Sequence, residues 1–414
     1  MNKVGKIIVE SDRGAVPSNS RVGVIAKIQI IPAGTSELNR QQAHAQTKNI
    51  ILLDNSGSMS GDKLNQAKEA AIQYYKSLKE GDTITISTFS DTINVLLKDE
   101  LPFQTSLENV VRGIDSDGGT NMYAALKEVE KIISISTEPK GRSSFKLVLL
   151  TDGVASDGSE NEFKEISSKF TKMGVPLYIF GIGGDYNEDL LIKMYRANEI
   201  GFFTHLTNIT DVVKDFKNIS KQIVLYPSRE LTIKLTPGSK LSKIYKSEPQ
   251  IVELDPKRSG DNLYTIPLGN LGIDNHTVLA RIEVPERSSG EFREGSFSVD
   301  MDSPTIGILI VKRSDDLNYI KQSINEAVKL EFKETELKIL GSKALDKSDT
   351  DHAEAGRIFT KKLEQIKNDP IMTKKIGDAN MKQFVDAQNI IMGTKKVTGE
   401  ELKERKSIFT KRRD

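Results

Sequence analysis

Between residues 48 and 220 short apolar runs alternate with amphipathic stretches, and that alternation limits the chain to few folds. The runs are "NIILL", "TITISTF", "FKLVLL", "PLYIFGI" and, more weakly, "GFFTHL". Interleaved with them are "GDKLNQAKEAAIQYYKSLK", "NMYAALKEVEKIISI", "ENEFKEISSKFTKM", "EDLLIKMYRAN" and "ITDVVKDFKNISKQI", whose apolar residues recur at helical spacing. Strands that are apolar throughout, without polar alternation, are covered on both faces. Strand and helix in turn therefore predict an α/β fold with a doubly wound parallel sheet.

The flanking segments follow a period of two. Residues 21–31 read "RVGVIAKIQII", and apolar alternation returns from 231 to 311 at Leu231, Ile233, Leu235, then Val278, Ala280, Ile282, Val284, then Phe297, Val299, Met301. Turn signals such as "TPGSK", "KRSGDN" and "ERSSGE" separate these runs, the signature of an antiparallel β-sandwich. Since the strands lie on both sides of the α/β unit, that unit is inserted into, or flanked by, one β domain. From about 315 the chain reads as helical, with Leu317, Ile320, Ile324, Ala327 and Val328 on one face, and it ends in the basic "KERKSIFTKRRD", read as a frayed, solvated end. At 414 residues two or three domains are expected. The divisions are 1–45 for N-terminal strands of the sandwich, 46–222 for the α/β domain, 223–313 for the sandwich, and 314–414 for a helical region with a basic tail.

Composition removes several functional classes. A formal charge of +1 supplies no general attraction to nucleic acid or anionic lipid. The absence of cysteine excludes disulfides, thiolate metal sites and a thiol nucleophile. No apolar stretch approaches a membrane span, and Ile7 to Val9 is too brief an apolar run for a signal peptide, so the expected location is cytoplasmic.

The chemistry gathers at strand ends. In an open parallel sheet, ligands bind beyond the carboxyl ends of the strands, where the strand order reverses. "ILLDNSGSMSG" leaves the first strand of the unit through Asp54, Ser56 and Ser58, three oxygen-bearing side chains at alternate positions. "LVLLTDG" puts Asp152 at the same end of a later strand, and "DSDGGTNM" puts Thr120 just before the helix at 121 to 135. If the two strands are neighbours, these five converge. All are hard oxygen donors with no histidine among them, which selects magnesium, or manganese or calcium in its place, over zinc or copper. Two carboxylates and three neutral hydroxyls leave such an ion incompletely neutralised, so a partner protein's Asp or Glu would complete its shell.

D-N-S-G-S, G-G-T-N and T-D-G, in this order around a doubly wound sheet, resemble the von Willebrand factor type A domain and its metal-ion-dependent adhesion site. The resemblance covers about 48 to 220 and carries Asp54, Ser56, Ser58, Thr120 and Asp152 over as the metal set. It implies that the hydroxyls touch the ion directly and that the carboxylates act largely through water. "FGIGGDYNEDLL" is similar to the later part of bacterial members, and the inserted arrangement is similar to inter-α-inhibitor-like relatives with an adjoining β domain. Bacterial relatives look like partners of MoxR-type AAA+ ATPases or of kinase and phosphatase signalling sets. The reading that follows is a non-catalytic, metal-dependent interaction module in an intracellular complex.

Blander readings stand beside each motif. "DNSGS" or "TDG" alone is commonly a turn, and only their order and placement favour a metal. Asp62 and Asp82 read as local caps, "GIGGDY" as a flexible loop, His205 as a packed strand residue, and Tyr74 and Tyr75 as helix packing. The alternatives are an extracellular adhesin and a metal-dependent hydrolase or phosphatase. Against catalysis, Ser56 stands where a haloacid-dehalogenase-type phosphatase needs its second Asp. Neither G-x-x-x-x-G-K-[ST] nor G-x-S-x-G occurs, and no positioned base accompanies the hydroxyls.

Overall fold

The computed structural model describes residues 6–31, 46–101, 107–135, 143–184, 186–198, 200–206, 226–248, 251–271, 275–300, 306–345, 352–395, 397, 401–402 and 409. The expected helix at 209–223 falls outside these residues, as do the side chain of His205 and the basic tail except Phe409. Phe409 is not a solvated end: it is 3% exposed and packs in the cluster with Phe359 and Phe384. Two compact units emerge, one of Ser36–Arg229 with Pro267–Ile273, the other of Met1–Thr35, Glu230–Ile266 and Asp274–Asp414.

The first unit is the doubly wound α/β fold. Its six strands lie in the order Ile93–Glu100, Thr83–Phe89, Gln46–Asp54, Ser143–Thr151, Leu177–Ile182, Phe202–Leu206. All neighbours are parallel except the pair formed by the outermost strand, Ile93–Glu100. Successive residues of the central strands feed opposite cores, as the pleat requires. Ile51, Leu53, Val148 and Leu150 pack with Leu64, Ala67, Ala71 and Tyr75 of the helix Asp62–Lys76. Ile50, Leu52, Leu147 and Leu149 pack with the helices Met122–Ile135, Glu160–Lys172 and Glu188–Ala197 on the other face. Tyr74 is fully buried, and its hydroxyl donates to Asn49 Oδ1 at 2.7 Å. Asp62 opens its helix, while buried Asp82 accepts from the Thr47 N–H at 3.0 Å.

Two elements of this unit carry no signal in the sequence pattern. The strand Ile93–Glu100 has no fully buried residue, as an edge strand can, and its apolar run, Val95 to Leu97, is too short to set it apart. The helix Leu107–Arg112 is a turn and a half and buries only Leu107 and Val111.

In the second unit, strands from before and after the α/β insertion share sheets. The first sheet runs Lys6–Ser11, Val22–Ile31, His276–Val284, Lys240–Glu248, Val252–Glu253, with Ala26 opposite Ala280. The second includes Tyr226–Leu235, Gly290–Val299 and Ile306–Ser314, and its edge strand Ala15–Pro17 runs parallel to Ile306–Ser314. The C-terminal helices belong to this same unit. The anticipated apolar face from Leu317 to Val328 does not form. A short helix, Leu317–Gln322, ends at Ser323, and Leu317 and Ile324 are exposed. The cause is pairing with the N-terminal strands: Gly14 donates to Ser323 O, and Asn325 donates to Asp12 O. The long helix Glu326–Leu345 starts only after that interruption.

Candidate functional site

The strands ending at Asp54 and Thr151 are neighbours, with Leu53 opposite Leu150. The chain passes from Gln46–Asp54 to Thr83–Phe89 on one side and later to Ser143–Thr151 on the other. The carboxyl ends of these two strands therefore flank the reversal in strand order, where such a sheet opens a crevice.

Asp54 is fully buried at that point. Its Oδ1 accepts the Ser56 N–H at 2.9 Å and its Oδ2 accepts the Thr151 hydroxyl at 2.6 Å. The Thr151 oxygen in turn accepts the Gly153 N–H at 2.8 Å. Ser56 precedes a 3-10 turn, Gly57–Met59, which brings the Ser56 and Ser58 hydroxyls to 3.1 Å from each other. Ser56 is buried and Ser58 exposed, so this pair lines a path from the sheet to solvent.

Hydrogen bonds stitch the second loop to the first. Asp117 N–H donates to Asn55 O at 2.8 Å, Asn55 Nδ2 donates to Asp115 O at 2.9 Å, and Gly57 N–H donates to Gly118 O at 3.0 Å. The two glycines before Thr120 are needed for a close approach. Gly118 has φ 71°, and a Cβ on Gly119 would lie 2.7 Å from Asp91 Oδ1. The third loop closes on the second through Ser156. Its hydroxyl accepts the Thr120 N–H at 2.8 Å, and its N–H donates to Thr120 O at 2.9 Å. Asp157 then accepts the N–H groups of Tyr123 and Ala124 at 2.9 and 2.8 Å, anchoring the helix that follows Thr120.

Asp152, 1% exposed, accepts the Val154 N–H on Oδ1 at 3.3 Å, and its Oδ2 lies 3.4 Å from Lys63 Nζ. Burial pushes the Asp54 carboxyl above its ordinary range. Hydrogen bonds from Ser56 and Thr151 offset that only in part, and the neighbouring charge of Asp152 adds to the rise. A cation beside these two buried carboxylates would relieve the cost of ionising Asp54.

The donor chemistry fits a divalent metal. Asp54, Ser56 and Ser58 are joined by hydrogen bonds among themselves and with Thr151, Asp152 acts on Asp54 through its charge, and Thr120 is brought in by its loop. Among the described residues no group of three or more His, Asp or Glu gathers anywhere, so a hydroxyl-rich oxygen set is the chemistry on offer. Sequence reasoning missed the supporting residues Asn55, Asp91, Lys63, Thr151, Ser156 and Asp157. Only "TDG" and "SDG" hinted at them, and both read equally well as turns. The loop after "GIGG" contributes Asn187, whose N–H donates to Asp152 O at 2.8 Å and whose side chain caps the helix Glu188–Ala197.

Comparison with known proteins agrees with the fold of the α/β unit. The sequence profile of the von Willebrand factor type A domain matches residues 50–222. An uncharacterized protein of Synechocystis sp. is 21% identical over 266 residues, 62% of this chain and 62% of its own length. The human inter-alpha-trypsin inhibitor heavy chain H3 is 30% identical over 181 residues, 40% of this chain and 19% of its own. The chain thus spans less than two thirds of these curated relatives. Among solved structures, a von Willebrand factor type A protein from Catenulispora acidiphila aligns with TM-score 0.76 at 16% identity, covering 100% of this chain and 98% of its own. The ArnB paralog VWA2 from Sulfolobus acidocaldarius aligns with TM-score 0.59 at 16% identity, covering 99% and 98%. At such identity the likeness is one of fold.

Proposed function

Because residues 50–222 of this chain are a von Willebrand factor type A domain, we propose that the protein is a non-catalytic, metal-dependent interaction module. Domains of this family generally mediate protein contacts through a divalent metal. In this chain Asp54, Ser56, Ser58, Thr120 and Asp152 would hold magnesium, or manganese or calcium in its place. The observation that carries the reading is the buried pair Asp54 and Asp152 at the switch point, with the Ser56 and Ser58 hydroxyls leading outward. When bound, the ion would supply an electrophilic position that accepts a carboxylate oxygen.

The chain's own residues do the rest. Thr151 and the Ser56 N–H orient Asp54, and Ser156 fixes the backbone at Thr120, so the donors are held before an ion arrives. Exposed Ser58 marks the side from which a partner's Asp or Glu would approach. The partner is a protein in a bacterial cytoplasmic assembly, of the MoxR-type ATPase or kinase and phosphatase kind, in which this chain serves as scaffold or adaptor. Among the described residues no helix is long and apolar enough to cross a membrane.

Thermal unfolding tests the reading. Magnesium at about a hundred times its dissociation constant stabilises a native protein by about 2.7 kcal/mol. The wild-type chain should gain in this way, and Asp54→Ala and Asp152→Ala should not. Affinity purification with the same three baits should yield partners lost in EDTA and in both variants. Equal recovery by all baits would move the contact surface away from this crevice.

A further inference from the structure

The helices Glu326–Leu345, His352–Lys367 and Asp378–Ile391 share a core in which Phe359, Leu363 and Phe384 fill the space between them. Where the first of these helices stops and the second starts, Ala344, Ala353 and Gly356 stand in place of such large residues. A cleft of about 1040 Å³ opens there. Its apolar lining includes Leu345, Ile390 and Ile391, and Met392 stands 59% exposed beside them. The volume is at the upper end of the ~300–1,000 Å³ usual for small-molecule sites.

The charge of the lining has one sign. Among the described residues its ionisable side chains are His352, Arg357, Lys361 and Lys395, and none is acidic. Arg357 pairs with Glu354 at 2.5 Å and Lys395 with Asp386 at 3.2 Å, so these two already have counter-charges. Exposed Lys361 makes no ion pair among the described residues. An apolar hollow beside one unpaired ammonium suits a molecule with a long apolar chain and a single negative charge. We propose that the cleft binds a single-chain amphiphilic carboxylate, a fatty acid in chemical class, with its chain on Leu345, Ile390 and Ile391 and its head at Lys361. A phosphate monoester head carries nearly two charges at neutral pH, more than Lys361 matches. The chain supplies the affinity, because each methylene leaves water. The exposed ammonium supplies direction more than strength. Nothing in this depends on the metal crevice.

The test is calorimetric titration of the full chain in EDTA with dodecanoate, kept below its micelle concentration. The wild type should bind dodecanoate, and decanoate about tenfold more weakly for its two missing methylenes. Dodecyltrimethylammonium, with the same chain and the opposite charge, should bind weakest. Lys361→Glu should weaken dodecanoate several-fold, and Lys361→Arg should match the wild type. Ala353→Trp, at an exposed position of the lining, should fill the cleft and abolish binding while the thermal unfolding midpoint stays where it was. Equal binding of dodecanoate and dodecyltrimethylammonium, or no loss in Lys361→Glu, would overturn the anionic head. Undiminished binding by Ala353→Trp would place the ligand elsewhere and overturn the site. A wild-type chain that does not bind dodecanoate would overturn the proposal outright, whatever the metal crevice does.

Discussion

The two units cover their sheets by different means. In the α/β unit both faces of the sheet meet helices through apolar side chains, and one core cluster runs from Ile51 and Leu53 through Phe180 to the helix Asp62–Lys76. In the other unit the helix Glu326–Leu345 covers a sheet face with a mixed surface. Phe332 and Ile339 pack on Tyr245, Leu279 and Ile25. Beside them Lys27 pairs with Glu331 at 2.6 Å, and Glu336 takes Lys243 at 2.6 Å and Lys362 at 2.7 Å. The same helix meets a second cluster on its far side through Leu330, Leu337 and Leu345, with Phe359, Leu363 and Phe384. Apolar packing supplies cohesion without direction. The ion pairs give a helix that is buried on two sides a preferred register on its sheet.

The largest effect that would sharpen this contrast belongs to the apolar cover. Phe180 is fully buried and makes an edge contact with Phe202 at 5.5 Å between ring centroids. Phe180→Ala should cost about 3–5 kcal/mol through lost transfer energy and a cavity. Chemical denaturation followed by circular dichroism would measure it, and a loss under 1 kcal/mol would show a core far looser than its burial implies.

A smaller loss is expected at the ionic cover. The Glu336 side chain is 3% exposed, but Lys243 and Lys362 are 39% and 30% exposed and can turn to water. With that screening allowed for, Glu336→Gln should cost about 1–2 kcal/mol. Acid separates the two units further. Burial acts to raise the Glu336 carboxyl, yet the hydrogen bonds from Lys243 and Lys362 outweigh it and hold the group below its ordinary 4.5. Its contribution is therefore complete above pH 4.5 and lost as pH falls through the lower native value. Asp54 has the opposite sign. Its native value lies above the ordinary 3.8, so the metal-free α/β unit regains stability as pH falls through that raised value. Hydrogen exchange resolved by segment should show Glu326–Leu345 loosening in acid while Gln46–Asp54 does not. Loosening of both together would mean that the two carboxylates do not control their units.

This contrast also explains what could be read from the sequence. The α/β fold was legible because uniformly apolar strands are a local pattern, and D-x-S-x-S, as local a pattern, marked the strand end where Asp54 lies. The edge strand Ile93–Glu100 was not, since its apolar run, Val95 to Leu97, is only three residues long. The interruption at Ser323 to Asn325 was not, since its cause lies at Asp12 and Gly14, some 300 positions away. In the site, Ser156 and Lys63 act through loops that only the folded chain brings together. A two-sided helix such as Glu326–Leu345 shows no single apolar stripe, so its neighbours on either side could not be inferred.

The smallest effect is expected where the two covers should not differ at all. Ser159 caps the helix Glu160–Lys172, its hydroxyl accepting the Glu162 N–H at 3.4 Å while Glu162 Oε2 accepts the Ser159 N–H at 2.7 Å. Asn325 does the same work for Glu326–Leu345, its Oδ1 accepting from Ala327 and Val328 at 3.2 and 3.3 Å. A cap satisfies N–H groups of the first turn, whatever the helix packs against further along. Ser159→Ala and Asn325→Ala should therefore each cost about 1 kcal/mol, within a few tenths of one another. The backbone bond from Asn325 N–H to Asp12 O survives the substitution, so it does not bias the pair. If Asn325→Ala costs several times as much as Ser159→Ala, the start of the long helix is held by its ionic seating as well as by its cap. The two covers would then differ in their local structure and not only in how they pack.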